Sequence, residues 1–225
     1  MTAAGRRAAL LGKGALAAHA GDIITALPGT VLDTVIPTAP EPDWDIRLSE
    51  HAAGHWPHAR IIYSGDWQDL EPGRCDLIVS VLYDKLLGPA LVDATEQIIN
   101  CHPGPLPSYR GVRPVNWALR NRETSHGITV HQIDHGIDSG PVLAEVRFTI
   151  WPEIDEVRDV WQRTMAYGRQ LLSDTLPRLE HIQPRPQDHG RAVTHFTTNN
   201  DQLGDRADWT RRVSAALDHT SGTRS

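Results

Sequence analysis

Three observations predict an α/β fold on a mainly parallel sheet. Residues 8–11 are apolar and turn through Gly12-Lys13-Gly14 into a helical stretch over 15–26 whose small residues can face a sheet, the opening of a βα unit. Residues 75–82, Cys-Asp-Leu-Ile-Val-Ser-Val-Leu, form a nearly unbroken apolar run, as in a central strand covered on both faces. Residues 98–111, Ile-Ile-Asn-Cys-His-Pro-Gly-Pro-Leu-Pro-Ser-Tyr-Arg-Gly, read as a buried strand that ends in polar side chains and leaves the sheet through a stiff loop. Open α/β sheets place their sites at such strand ends.

In chain order, a second strand is expected over 29–36, a proline-rich loop over 37–42, a helix over 45–55 and a short strand over 60–63. After the strand at 75–82 the chain turns through Tyr83-Asp84-Lys85-Leu86-Leu87-Gly88-Pro89. A helix over 115–121 follows the central stretch, and strands are expected at 127–134 and 141–150. Residues 153–179 have helical periodicity with Trp161, Met165 and Leu172 on the inner side. We place the main domain at 1–183 and a short, partly irregular C-terminal extension at 184–225, with residues 221–225 expected to be disordered.

Composition excludes several classes. A formal charge of -6 and a pI near 6.0 give no basic field for nucleic acid. No run reaches membrane length. The apolar stretch after Arg6-Arg7 is interrupted at Gly12, too early for a signal-peptide core. Cys75 and Cys101 lie in apolar runs without metal spacing, which suits a reduced, cytoplasmic setting. His126, His131 and His135 lack the spacing of helical ligands, so no metal is expected.

The chemistry-bearing residues cluster at the end of the central strand. Period-two geometry directs Asn100 and His102 to one face and Cys101 to the other, which argues against a Cys101–His102 dyad and for Cys101 as core packing. Asp138 follows in a glycine-bracketed turn, His135-Gly136-Ile137-Asp138-Ser139-Gly140. By itself such an aspartate more often makes an Asx turn than a site. Arg110 and Arg113 beside the loop can hold an anionic substrate group, whereas Arg120 and Arg122 suit the end of the following helix.

Asn-x-His-Pro followed by Gly-Ile-Asp-Ser-Gly resembles the formyltransferases that use 10-formyltetrahydrofolate, over approximately residues 75–149. The chain departs from the family's Ser-Leu-Leu-Pro loop, having Gly104-Pro105-Leu106-Pro107 there. The resemblance implies a Rossmann-like formyltransferase fold, 10-formyltetrahydrofolate as formyl donor, no metal, and a small-molecule amine as acceptor. It implies Asn100, His102 and Asp138 as catalytic residues, and Lys85, Leu86, Leu87, Asp134 and Gly136 along the folate pocket. The Leu-Gly-Lys-Gly opening resembles that of sugar formyltransferases and adds Lys13 to the substrate-binding candidates. His131 matches a Thr-Val-His pattern of some members, where it would support the catalytic residues. Formyl transfer passes through a tetrahedral species whose oxygen carries negative charge, so the Asn100 amide and the His102 ring are expected to donate to that oxygen. Asp138 would take a proton and orient the ring.

A nucleotide-linked amino sugar is the expected acceptor, with glycinamide ribonucleotide second. A methionyl-tRNA acceptor is disfavoured by the charge and by the little room for the extra C-terminal domain of those enzymes. Hydrolysis of the formyl folate and binding without turnover remain open as different classes. A homodimer is compatible with all of these.

Overall fold

The computed structural model describes residues 5–210. The expected tail at 221–225 lies outside the described residues.

The first strand, β1 (Arg6–Gly12), leads into α1 (Gly14–Ala26) and then β2 (Thr30–Pro37), α2 (Leu48–His55), β3 (Arg60–Ile61) and β4 (Leu77–Val81). The second half comprises α3 (Pro89–Ala94), β5 (Gln97–His102), β6 (Arg110–Gly111), α4 (Pro114–Arg120), β7 (Ser125–Gln132), β8 (Val142–Thr149), α5 (Val157–Thr175) and β9 (Thr194–His195). Seven strands form one sheet in the order β3-β2-β1-β4-β5-β7-β8. Strands β1 to β5 pair in parallel, whereas β7 pairs antiparallel with both β5 and β8. The α/β architecture with a mainly parallel sheet therefore agrees with the sequence reading.

All five residues of β4 are buried, as its apolar run requires of a strand covered on both faces. Ala8, Leu10, Val79, Ile99 and Cys101 pack on one side with α1 and α5; Ala9, Leu11, Ile78 and Ile98 pack on the other with Leu70 and Leu91. Each Leu or Ile so buried contributes about 2 kcal/mol against exposure. Cys101 lies in the first cluster, where burial pushes its thiol up to about 12, so it is not an available thiolate nucleophile at neutral pH.

The inner face of α5 is Val160, Thr164, Gly168, Leu171 and Leu172, not the expected Trp161 and Met165, which are half-buried at its edges. Gly168 decides this: a Cβ there would come 2.7 Å from the Ile128 side chain, so the helix approaches the sheet along its smallest residue. Residues 185–210 are more ordered than their polar composition suggests. Arg185 exchanges both backbone hydrogen bonds with Val142, and β9 pairs in parallel with β6. Leu203 is fully buried against Tyr109, Val115 and Leu119.

His126 is buried in β7, where its Nε2 donates to the Pro103 carbonyl at 3.0 Å and its Nδ1 has no partner. Burial lowers its pKa to about 4, while an unfolded histidine titrates near 6.5. The native state thus takes up fewer protons than the unfolded state between those values, and stability is lost as pH falls through that window. The protein is expected to lose about 2 kcal/mol from this group between pH 7 and pH 5. In urea titrations at the two pH values, His126→Gln should show a correspondingly smaller acid loss; an equal loss in both proteins contradicts the assignment.

Candidate active site

Register builds the centre of the site. In the antiparallel pairing of β5 with β7, Asn100 faces His131 and His102 faces Thr129. The loop leaving β5 is tied back to β7, since the Thr129 hydroxyl donates to the Gly104 carbonyl at 2.8 Å and accepts from the Leu106 amide at 3.3 Å. Its next strand, β6, then presents Gly111. A positive φ of 84° suits glycine there, and a Cβ would come 2.1 Å from the His195 carbonyl of β9.

The turn after β7 carries the carboxylate. Asx-turn chemistry does occur in it, but through Asp134, whose Oδ1 accepts from the Gly136 amide and the Ser139 hydroxyl. Asp138 has a left-handed backbone, φ 47°, and points its carboxylate inward. Gly140 permits the close return of the chain, because a Cβ would meet the Gln132 carbonyl at 2.0 Å.

Asn100, His102 and His131 converge on the Asp138 carboxylate. Asp138 Oδ1 accepts from Asn100 Nδ2 at 3.3 Å and lies 3.3 Å from His131 Nε2. Its Oδ2 accepts from the Gly111 amide at 2.8 Å and lies 3.4 Å from His102 Nδ1. Burial alone would raise the Asp138 pKa, but the two imidazoles and the Gly111 amide outweigh it and hold the carboxyl far below the ordinary range. At neutral pH Asp138 is therefore a carboxylate.

His102 is 3% exposed, and burial lowers its pKa although Asp138 opposes the shift. Its Nε2 donates to the Tyr109 carbonyl at 2.6 Å, which leaves Nδ1 of the neutral ring as an acceptor beside Asp138. A proton arriving at Nδ1 would make the ring a donor on both sides, to Tyr109 and to Asp138. The arrangement is therefore that of a base whose protonated form has a carboxylate already in place.

Asn100 differs from expectation. Its Nδ2 faces both Asp138 Oδ1 and His131 Nε2, while His131 Nδ1 donates to the Gln132 carbonyl. Both amide hydrogens are thus engaged within the cluster in this arrangement, and neither points outward. Sequence reasoning had left His131 as a supporting candidate; the β5–β7 register makes it a direct neighbour of the carboxylate.

The other expected residues scatter. Arg110 is 7% exposed and donates from Nε and Nη2 to Gln187 Oε1, at 3.1 and 2.7 Å, with His189 Nδ1 3.3 Å from Nη2. It is an internal strut, not an open cleft residue, because β6 turns its side chain toward the segment after residue 184. Arg113 is exposed at the start of α4. Lys13 lies 3.7 Å from Asp84, and the adjoining α1 N-terminus is already met by Asp45, whose Oδ1 accepts from the Ala15 amide at 3.1 Å. That carboxylate stands where an anion would otherwise bind the helix. Lys85, Leu86 and Leu87 are in the loop leaving β4, beside the end of β5. Lys85 pairs with Asp66 at 3.3 Å, Leu86 is 69% exposed and Leu87 is half-buried. Asp134 and Gly136 are in the Asp138 turn itself.

Sequence and structure comparisons give one family. The Formyl transferase family model matches residues 64–176, half of the chain. A methionyl-tRNA formyltransferase of Synechococcus sp. is 37% identical over 127 residues, which cover 55% of this chain and 39% of that protein. A phosphoribosylglycinamide formyltransferase from Bacillus halodurans superposes with a TM-score of 0.64 at 25% identity, over 77% of this chain and 95% of that one. An N-formyltransferase from Helicobacter canadensis, solved with folinic acid and dTDP-3-aminofucose, has the same fold, with a TM-score of 0.72 at 20% identity over 87% of this chain and 72% of that one. The chain spans well under half the length of the Synechococcus relative. With the family model covering the segment that holds Asn100, His102, His131 and Asp138, this chain belongs to the formyl transferase family.

Proposed function

We propose that the protein moves a formyl group from 10-formyltetrahydrofolate to a primary amine carried by a nucleotide-linked amino sugar. The observation that carries the reading is the convergence of Asn100, His102 and Asp138, from the end of β5 and the turn after β7, within 3.4 Å contacts. Family membership supports the formyl chemistry. The fold shared with a sugar-directed neighbour, and the pI near 6.0, favour a small acceptor over tRNA.

We assign the aromatic, amide-rich ring of the donor to the loop that follows β4. Strands β4 and β5 are adjacent and parallel, with Val81 opposite Cys101, so the loop over 82–88 leaves the sheet beside the catalytic strand. It offers the main chain of Lys85 to Leu87 and the exposed Leu86 side chain. Bound there, the folate supplies the activated formyl group.

His102 accepts the proton that the attacking amine must lose, and the Asp138 carboxylate stabilises the resulting imidazolium. The same ring and the Asn100 amide are the donors nearest to a formyl oxygen. To serve it, each exchanges a present partner, the Tyr109 carbonyl or Asp138, for substrate. The Asp138 charge acts on the imidazolium, which it stabilises more strongly in a dry site than in water.

Incubation with 10-formyltetrahydrofolate and separate amines should yield a formylated product, detectable by mass spectrometry, with an amino-sugar nucleotide. Formylation of glycinamide ribonucleotide or methionyl-tRNA alone would reassign the acceptor. Formate release that is independent of any amine would instead make the protein a hydrolase. His102→Ala and Asp138→Asn should each lower kcat by roughly 10²- to 10⁴-fold, the range general-base catalysis supplies. Full activity in either variant contradicts the assignment.

Neutral His102 is the form that accepts a proton. Since burial lowers its pKa below the ordinary histidine value, the acid limb of kcat, measured with the amine saturating, should have its midpoint below about pH 6.5. An acid limb whose midpoint lies above the ordinary histidine value overturns that role.

A further inference from the structure

Gln187 lies outside the segment that the family model matches, and no sequence feature singled it out. It is nevertheless 7% exposed, and its amide is fully used. Nε2 donates to the backbone carbonyls of Asp138 and Gly140, at 2.8 and 2.6 Å. Oε1 accepts both contacts from the Arg110 guanidinium. The pairing of Arg185 with Val142 brings the side chain to this place.

These bonds close a ring. Arg110 reaches the backbone of Asp138 through Gln187, while the next residue, Gly111, donates its amide to the Asp138 carboxylate. The catalytic turn is thereby held at its main chain and at its side chain by two successive residues of β6. The restraint matters because Asp138 has the left-handed backbone, which is unfavourable for a non-glycine residue and persists only where surrounding contacts enforce it.

We propose that Gln187 is a positioning residue for formyl transfer: by bridging Arg110 to the Asp138–Gly140 turn, it fixes the Asp138 carboxylate against the His102 ring. The proposal rests on the formyl-transfer reading for its kinetic consequence but not for its geometric one.

Two variants separate the roles of the amide. Gln187→Met keeps the length of the side chain and removes all four bonds. Gln187→Glu keeps an acceptor for Arg110 but turns a carboxylate toward two carbonyl oxygens. Both should lower kcat by about 10- to 100-fold, the effect of a misplacement on the order of 1 Å, with KM for the formyl donor nearly unchanged. The second readout is the NMR titration of the His102 ring. The titratable groups around it besides Asp138 are His131 and His126, and its Nε2 meets the Tyr109 carbonyl, so Asp138 is the one negative charge against it among the described residues. Loosening the carboxylate should shift the ring's titration to lower pH.

Parent-like kcat in either variant overturns the proposal. So does a fall in kcat with the His102 titration unmoved, which would mark Gln187 as merely structural. If Gln187→Met does not fold, Gln187→Glu decides alone. A parent protein that formylates no amine defeats the functional reading, and the ring titration then decides by itself whether Gln187 holds the carboxylate in place.

Discussion

The site depends on one buried negative charge. A carboxylate taken out of water costs several kcal/mol, and the cost is met only where donors are fixed around it. Asp138 has two such donors, the Asn100 and Gly111 amides, with the rings of His102 and His131 3.4 and 3.3 Å from its oxygens. Three constraints of the fold bring these four groups together. The β5–β7 register supplies Asn100 and His131; the end of β5 supplies His102; the loop tied back by Thr129 supplies Gly111. A one-residue slip of β5 would turn Asn100 and His102 to the other face and take two of these four groups from the charge.

The same geometry accounts for the chemistry. His102 lies between two acceptors, a carbonyl at Nε2 and a carboxylate at Nδ1, while burial keeps the ring neutral. These tendencies oppose one another, which leaves the ring ready to take a proton rather than already holding one. Cys101, one residue away, faces the core and takes no part. Alternation along a single strand thus separates a buried thiol from the imidazole proposed as the base.

Much of this was legible in the sequence because it rests on short-range rules. The apolar run of β4, the Asn-x-His alternation and the glycine bracket around Asp138 each follow from local backbone geometry. The Asx-turn reading of the glycine bracket was right in kind and wrong in residue, since Asp134 makes the turn and Asp138 is left to face inward. That Arg110 is buried, not open beside the loop, has a long-range reason: its partner, Gln187, is far along the chain and enters through a backbone bridge between Arg185 and Val142. Likewise the α5 periodicity pointed to its large residues, whereas Gly168 and Thr164 make the close approach to the sheet. No local pattern announces that a small or polar residue will be chosen for contact.

The central claim is that Asp138 stays ionised because these neighbours hold it. Carbon-13 NMR of the Asp138 side-chain carboxyl, followed on acidification while the native spectrum persists, tests it directly. The carboxyl shift should remain at its ionised value down to about pH 4, the ordinary midpoint for aspartate. A carboxyl that titrates at or above that midpoint would contradict the account.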